Sequence, residues 1–173
     1  MKTVLLLGAL KYPTKVLSKY SKIYNTKSIT VPLTFTGMLA GKRYYAYKKV
    51  YEQIKDEEAL HVHSMSGGAH LLTRLVMLYP DVIPKIKSQV YDNPTHLLGG
   101  IPSLKKMYSI PESIGEPIVR NAFPDCIITS DYFTKEALVK KIPTGIIESS
   151  NDIIAPQEQI EIMKSNWKRT NSI

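Results

Sequence analysis

The stretch Ala59-Leu60-His61-Val62-His63-Ser64-Met65-Ser66-Gly67-Gly68-Ala69-His70-Leu71-Leu72-Thr73-Arg74 decides the fold. Leu60 and Val62, apolar at alternate positions, read as a short buried strand. A run of small residues follows, and residues 68–79 then form a helix with Leu72, Leu75, Val76 and Tyr79 on one side. Strand, tight turn and helix in that order are the layout of a nucleophile elbow, where a serine hydroxyl is pushed into a cleft. Such a turn takes only small residues two before and two after the nucleophile. Around Ser66 these are Ser64 and Gly68, giving Ser-x-Ser-x-Gly. Around Ser64 they are Val62 and Ser66, a poorer steric fit. Ser66 is therefore the first candidate nucleophile and Ser64 the second, the plain alternative being that both serines cap the following helix.

Outward from this stretch the chain alternates strands with helices. Residues 2–8 read as a buried strand ending at Gly8, and a helix opens at Pro13, which suits a first helical turn. Residues 28–31 form a strand stopped by Pro32, residues 34–41 a loop, and residues 42–55 a tyrosine-rich amphipathic helix. Beyond the elbow helix, residues 87–91 form a strand that ends in the turn Asp92-Asn93-Pro94. A helix over 130–140, a strand over 144–148 and a helix from Pro156 to about Trp167 follow. This alternation implies a mostly parallel sheet covered on both faces, an α/β protein built as a three-layer α/β/α sandwich. The whole chain, 1–173, reads as one domain. Residues 95–124, rich in Gly, Pro and Ser and without a clear period, read as a lid or cap over the cleft.

Composition narrows the function classes. Apolar content of 43% and charged content of 22% are ordinary for a globular domain and exclude disorder. The single cysteine, Cys126, permits no internal disulfide, suits a reducing compartment and sits in an apolar run as a packing residue. Lys2 and the short run Val4–Leu7 give only a faint outline of a signal peptide, without a convincing cleavage site. A soluble, intracellular, cytoplasmic protein is expected. The net charge of +8 comes almost wholly from scattered lysines. That is a solvated surface rather than a nucleic-acid interface, which favours arginine; peripheral contact with an anionic membrane is the remaining use for it. The histidines lack the spacing of a zinc site, and no cofactor or metal is called for.

With the strands placed, the chain resembles the α/β-hydrolase fold and, more narrowly, the transmembrane-protein-53-like hydrolase family. Four words carry the resemblance. They are Leu5-Leu6-Leu7-Gly8 with the helix around Leu17–Tyr24, His61-Val62-His63-Ser64 through Gly67-Gly68, Val90-Tyr91-Asp92-Asn93-Pro94, and Pro143 through Ser150-Asn151-Asp152-Ile153-Ile154. Aligned on the strand, the family nucleophile falls on Ser64; aligned on the helix, it falls on Ser66. The resemblance implies a serine, an acid and a histidine in that chain order. Asp152 takes the acid position, with Asp92 as the rival. The family histidine follows a further strand, so the chain looks shortened at its C-terminus relative to the family. No histidine follows Asp152 here. Of His61, His63, His70 and His96, the first three read as packed residues, which leaves His96 as the substitute base.

The oxyanion donors would be the backbone N–H of Gly67 and one from the loop after the first strand, at Ala9 or Leu10. Two functions follow. One is a serine hydrolase of carboxylic esters or thioesters, acting on a small acyl substrate and weakened by the missing histidine. The other is a catalytically silent hydrolase fold that serves as a binding or scaffold protein. The sequence assigns no oligomeric state.

Overall fold

Leu5, Leu6 and Leu7 are all fully buried. Successive strand residues point to opposite faces, so β1 (Thr3–Leu10) is covered on both sides. Each leucine taken out of water contributes about 1.5–3 kcal/mol, and β1, paired on both sides, is an interior strand. The computed structural model describes residues 2–10, 13–33, 40–94, 109, 111–122, 142–151, 157, 160–161 and 164–165. Within these, β1, β2 (Lys27–Leu33), β3 (Leu60–Met65), β4 (Ile86–Asp92) and β5 (Thr144–Ile147) form one sheet in the order β2-β1-β3-β4-β5. Every neighbouring pair is parallel.

Parallel neighbours need crossover connections. α1 (Thr14–Tyr24) lies between β1 and β2, α2 (Ala40–Ile54) precedes β3, and α3 (Gly68–Leu78) leads through a 3₁₀ turn at Pro80–Lys85 to β4. The chain steps from β1 to β2, then back past β1 to β3 and on to β4. Right-handed crossovers place the helices of the two directions on opposite faces. The core divides accordingly. Val4, Leu6 and Met65 pack with Leu17 of α1. Leu5, Leu7, Val62 and Tyr91 pack with Val50 and Ile54 of α2 and with Leu72 and Leu75 of α3. The result is the three-layer α/β/α sandwich. The reversal falls between β1 and β3, where a doubly wound sheet opens a crevice at its carboxyl edge.

Several details depart from the sequence reading, among them α2, which starts at Ala40 inside the expected loop over 34–41. Pro32 does not stop β2, which runs on to Leu33. Among the described strands β2 is an edge, where a missing N–H costs no ladder bond. β1 does not end at Gly8; it continues through Ala9 to Leu10, which pairs with Leu33 after a register shift beyond Leu7. Residues 95–124 do hold a regular element, α4 (Glu112–Ala122). Its start is set by the Pro111 carbonyl, which accepts from Ile114 N at 2.9 Å and Gly115 N at 2.8 Å. The rest of that segment apart from Ser109 and Pro111, and the helix expected over 130–140, lie outside the described residues. Residues 157, 160–161 and 164–165 are helical, inside the helix expected after Pro156.

Candidate functional site

β3 delivers Ser66 to the carboxyl edge of the sheet beside the reversal point. Ser66 has φ 48°, in the left-handed region that costs a residue with a Cβ roughly 1–2 kcal/mol. Asn25, Asn93 and Ser109 share positive φ among the described residues. Asparagine tolerates that region, and Ser66 is the one of the four that links a strand directly to a helix. Its N–H donates to the Asp92 carbonyl at 2.8 Å, and its carbonyl accepts from Ala69 N at 3.1 Å. The serine is half-buried.

The residues flanking Ser66 explain how the turn closes. A Cβ on Gly68 would stand 2.3 Å from the Leu7 carbonyl oxygen, so α3 approaches β1 at a distance only glycine permits. Two residues before the turn, Ser64 is fully buried in β3, and its Oγ has no hydrogen-bond partner among the described residues. Gly67 lies at φ −59° and ψ −10° as the N-cap of α3, where helix N–H groups face outward from the first turn. Ala9 and Leu10, expected in a loop as the second oxyanion donor, are instead the last residues of β1. Asp152 and His96 lie outside the described residues.

The rival acid, Asp92, ends β4 and sits in register with Met65. In parallel register Met65, His63 and His61 share the face that packs against α1, as do Asp92, Val90 and Ser88. His63 is 5% exposed. Its Nδ1 lies 2.6 Å from the Tyr24 hydroxyl, and its Nε2 lies 3.6 Å from Asp92 Oδ2, beyond hydrogen-bond range. Tyr20 and Tyr24 both meet the ring edge-on, at centroid distances of 5.5 and 5.9 Å. Burial first, then the Asp92 charge and Tyr20, push the Tyr24 hydroxyl above the usual tyrosine range. Tyr24 therefore keeps its proton at neutral pH, and its hydroxyl and Nδ1 share one hydrogen bond whose direction follows the imidazole tautomer, while Nε2 faces Asp92.

His63 thus packs in the core, as the sequence implies, but as the hinge of a polar chain from α1 to the end of β4. Strand period puts His63 and Asp92 each on a definite face, but the register that brings them near one another, with His63 opposite Val90 and Asp92 opposite Met65, comes from the fold. Nothing local marks Tyr24, whose spacing on α1 equals that of its apolar neighbours. His61 is tied through Nδ1 to Ser88 Oγ at 2.7 Å, and His70 is buried in α3. Among the described residues, no three His, Cys, Asp or Glu side chains gather where a metal could sit, and no helix is long and apolar enough to cross a membrane.

No family model and no curated protein matches the sequence. Solved structures do match. Carboxyl esterase 2 from the mycorrhizal fungus Tuber melanosporum is 14% identical, with a TM-score of 0.63 over 98% of this chain and 64% of that one. An α/β hydrolase enzyme from the metagenome of sediments of the lagoon of Mar Chica, Morocco, is 18% identical, with a TM-score of 0.59 over 95% of this chain and 75% of that one. The Paleococcus ferrophilus monoacylglycerol lipase is 13% identical, with a TM-score of 0.56 over 96% of this chain and 80% of that one. The chain thus spans 64% of the length of the fungal esterase. At these identities the likeness concerns backbone architecture: this chain has the α/β-hydrolase fold.

Proposed function

We propose that the protein is a serine hydrolase of carboxylic esters or thioesters, with Ser66 as nucleophile and slow turnover. The observation that carries the reading is Ser66 at φ 48° on the turn between β3 and α3, with buried Ser64 and close-packed Gly68 on either side. Strain held at a serine on a sheet's carboxyl edge is a motive for function, since folding alone would place a glycine there. In the proposed step Ser66 Oγ bonds to the acyl carbon and gives its proton to a base, while the carbonyl oxygen takes the negative charge. The Gly67 N–H stabilises that charge. Collapse breaks the bond to the alcohol or thiol, which leaves with the proton, and water then releases the acid and frees the serine. His96 and Asp152 are carried as base and acid on the sequence argument, and residues 95–124 as a lid. Kinship with the transmembrane-protein-53-like hydrolases belongs to the same proposal and rests on the four matching words.

The test is labelling with a fluorophosphonate probe. Wild-type protein and Ser64→Ala are expected to label, and Ser66→Ala to stay blank. Hydrolysis of p-nitrophenyl acetate is expected to be feeble. Labelling that survives Ser66→Ala removes Ser66 from the role. A second reading, a catalytically silent binding protein, is favoured by the commitments of the described histidines. His63 is held by Tyr24, His61 is held by Ser88, and His70 is buried in α3. Without a base a serine hydroxyl is a weak nucleophile, and loss of a triad member leaves only a remnant of roughly 10³–10⁴ over water. A wild-type protein that neither labels nor turns over selects this second reading.

A further inference from the structure

A cavity of about 320 Å³ opens on the α1 side of the sheet, away from the elbow. Its lining along β3 runs from His61 to His63, five to three residues before Ser66, about 16 to 10 Å at the usual strand rise. The polar part of the lining is Lys2, Tyr24, His61, His63 and Ser88, with Thr26 at the same end and Val4 and Val90 as apolar walls. Apart from the exposed Lys2 ammonium, each polar side chain is held. The Tyr24 hydroxyl meets His63 Nδ1 at 2.6 Å, Ser88 Oγ meets His61 Nδ1 at 2.7 Å, and the Thr26 hydroxyl donates to the Lys2 carbonyl at 2.9 Å. The bond at Nδ1 leaves the other ring nitrogen of His61 to serve a ligand.

The charge of this lining is one-sided. Lys2 supplies its one formal charge, the two imidazoles add polar ring nitrogens, and no carboxylate belongs to it among the described residues. The nearest acid to His63, Asp92, stands beyond that ring at 3.6 Å rather than on the cavity wall. Apolar walls with a few converging, pre-positioned polar groups are the make-up of a small-molecule site, and this volume is at the small end of that class. From the cavity we infer a second binding site, for a small carboxylate with an apolar body, separate from Ser66. The carboxylate pairs with Lys2 and with the free nitrogen of His61, while its body lies against Val4 and Val90.

Benzoate and its neutral counterpart benzamide test this, with binding read from the imidazole proton signals of His61, assigned by comparison with His61→Asn. Benzoate is expected to shift those signals saturably and more tightly than benzamide does. Lys2→Met should weaken benzoate by roughly two- to fivefold, the span of an exposed ion pair, and leave benzamide unchanged. Val90→Trp, which fills the cavity, should abolish both; if that variant unfolds, Lys2→Met at its exposed position still decides. Silence at His61, equal binding of the two probes, or benzoate binding indifferent to Lys2→Met overturns the proposal. Whether Ser66 labels with fluorophosphonate has no bearing on these signals, so this site and the hydrolase reading stand or fall separately.

Discussion

Ser66 donates its backbone N–H to the carbonyl oxygen of Asp92 at 2.8 Å, so the residue that turns the chain out of β3 is pinned to the end of β4. The pin holds a serine at φ 48°, a conformation that glycine reaches without a Cβ penalty. Ser66→Gly is therefore expected to exceed Ser66→Ala in unfolding free energy by about 1 kcal/mol in urea denaturation, the greater chain entropy of unfolded glycine taking back part of the gain. Equal stabilities would mean that no strain resides at this turn.

Gly68 is required for a different reason, the approach of the Leu7 carbonyl to within 2.3 Å of where a Cβ would lie. Gly68→Ala is expected to lose about 1–3 kcal/mol by forcing α3 off β1, and Gly68→Val more. Gly145 serves as the control, because a Cβ there meets only Val90 Cγ2 at 3.8 Å. Gly145→Ala should stay within about 0.5 kcal/mol of wild type. Similar losses at both glycines would remove the special status of position 68.

The Tyr24–His63 contact at 2.6 Å ties α1 to β3 through a buried ring. Tyr24→Phe leaves Nδ1 unpaired and is expected to cost about 1–3 kcal/mol. A double-mutant cycle with His63→Phe should return a coupling of about 1 kcal/mol, read by chemical denaturation. Additive losses would show that the two side chains contribute independently.

Glu57 fastens the start of the sheet. Its carboxylate pairs with the Lys27 ammonium and accepts from the Thr3 hydroxyl at 2.5 Å. The Lys27 hydrogen bond first, then that of Thr3, holds the carboxyl below its ordinary range. A carboxyl depressed in the folded state adds stability above its unfolded pKa of about 4.3, and that stability is lost as pH falls through the folded value. Glu57→Gln should therefore be less stable than wild type at neutral pH, with the gap closing as the pH is taken below about 4. A gap of constant size across that range would contradict the linkage.

Local pattern determined most of the architecture. Leu5-Leu6-Leu7 has no polar alternation and, bounded by Gly8, reads as a strand covered on both faces, and the small residues from Ser64 to Gly68 marked the turn that leads into α3. Periodicity cannot say where an edge lies or how far a strand extends, because both depend on partners distant in sequence. Pro32 is tolerated because β2 is an edge among the described strands, and Ala9 and Leu10 extend β1 because Leu33 is there to pair with Leu10. The two serines of the elbow differ through the same kind of contact. In sequence Ser64 and Ser66 are alike in chemistry; in the fold one is sealed inside β3, and the other is held in a strained turn by the Asp92 carbonyl. The Tyr24–His63–Asp92 chain was likewise decided only by tertiary structure, since its members come from α1, β3 and β4 and meet because parallel register sets two strand residues on the face that α1 covers.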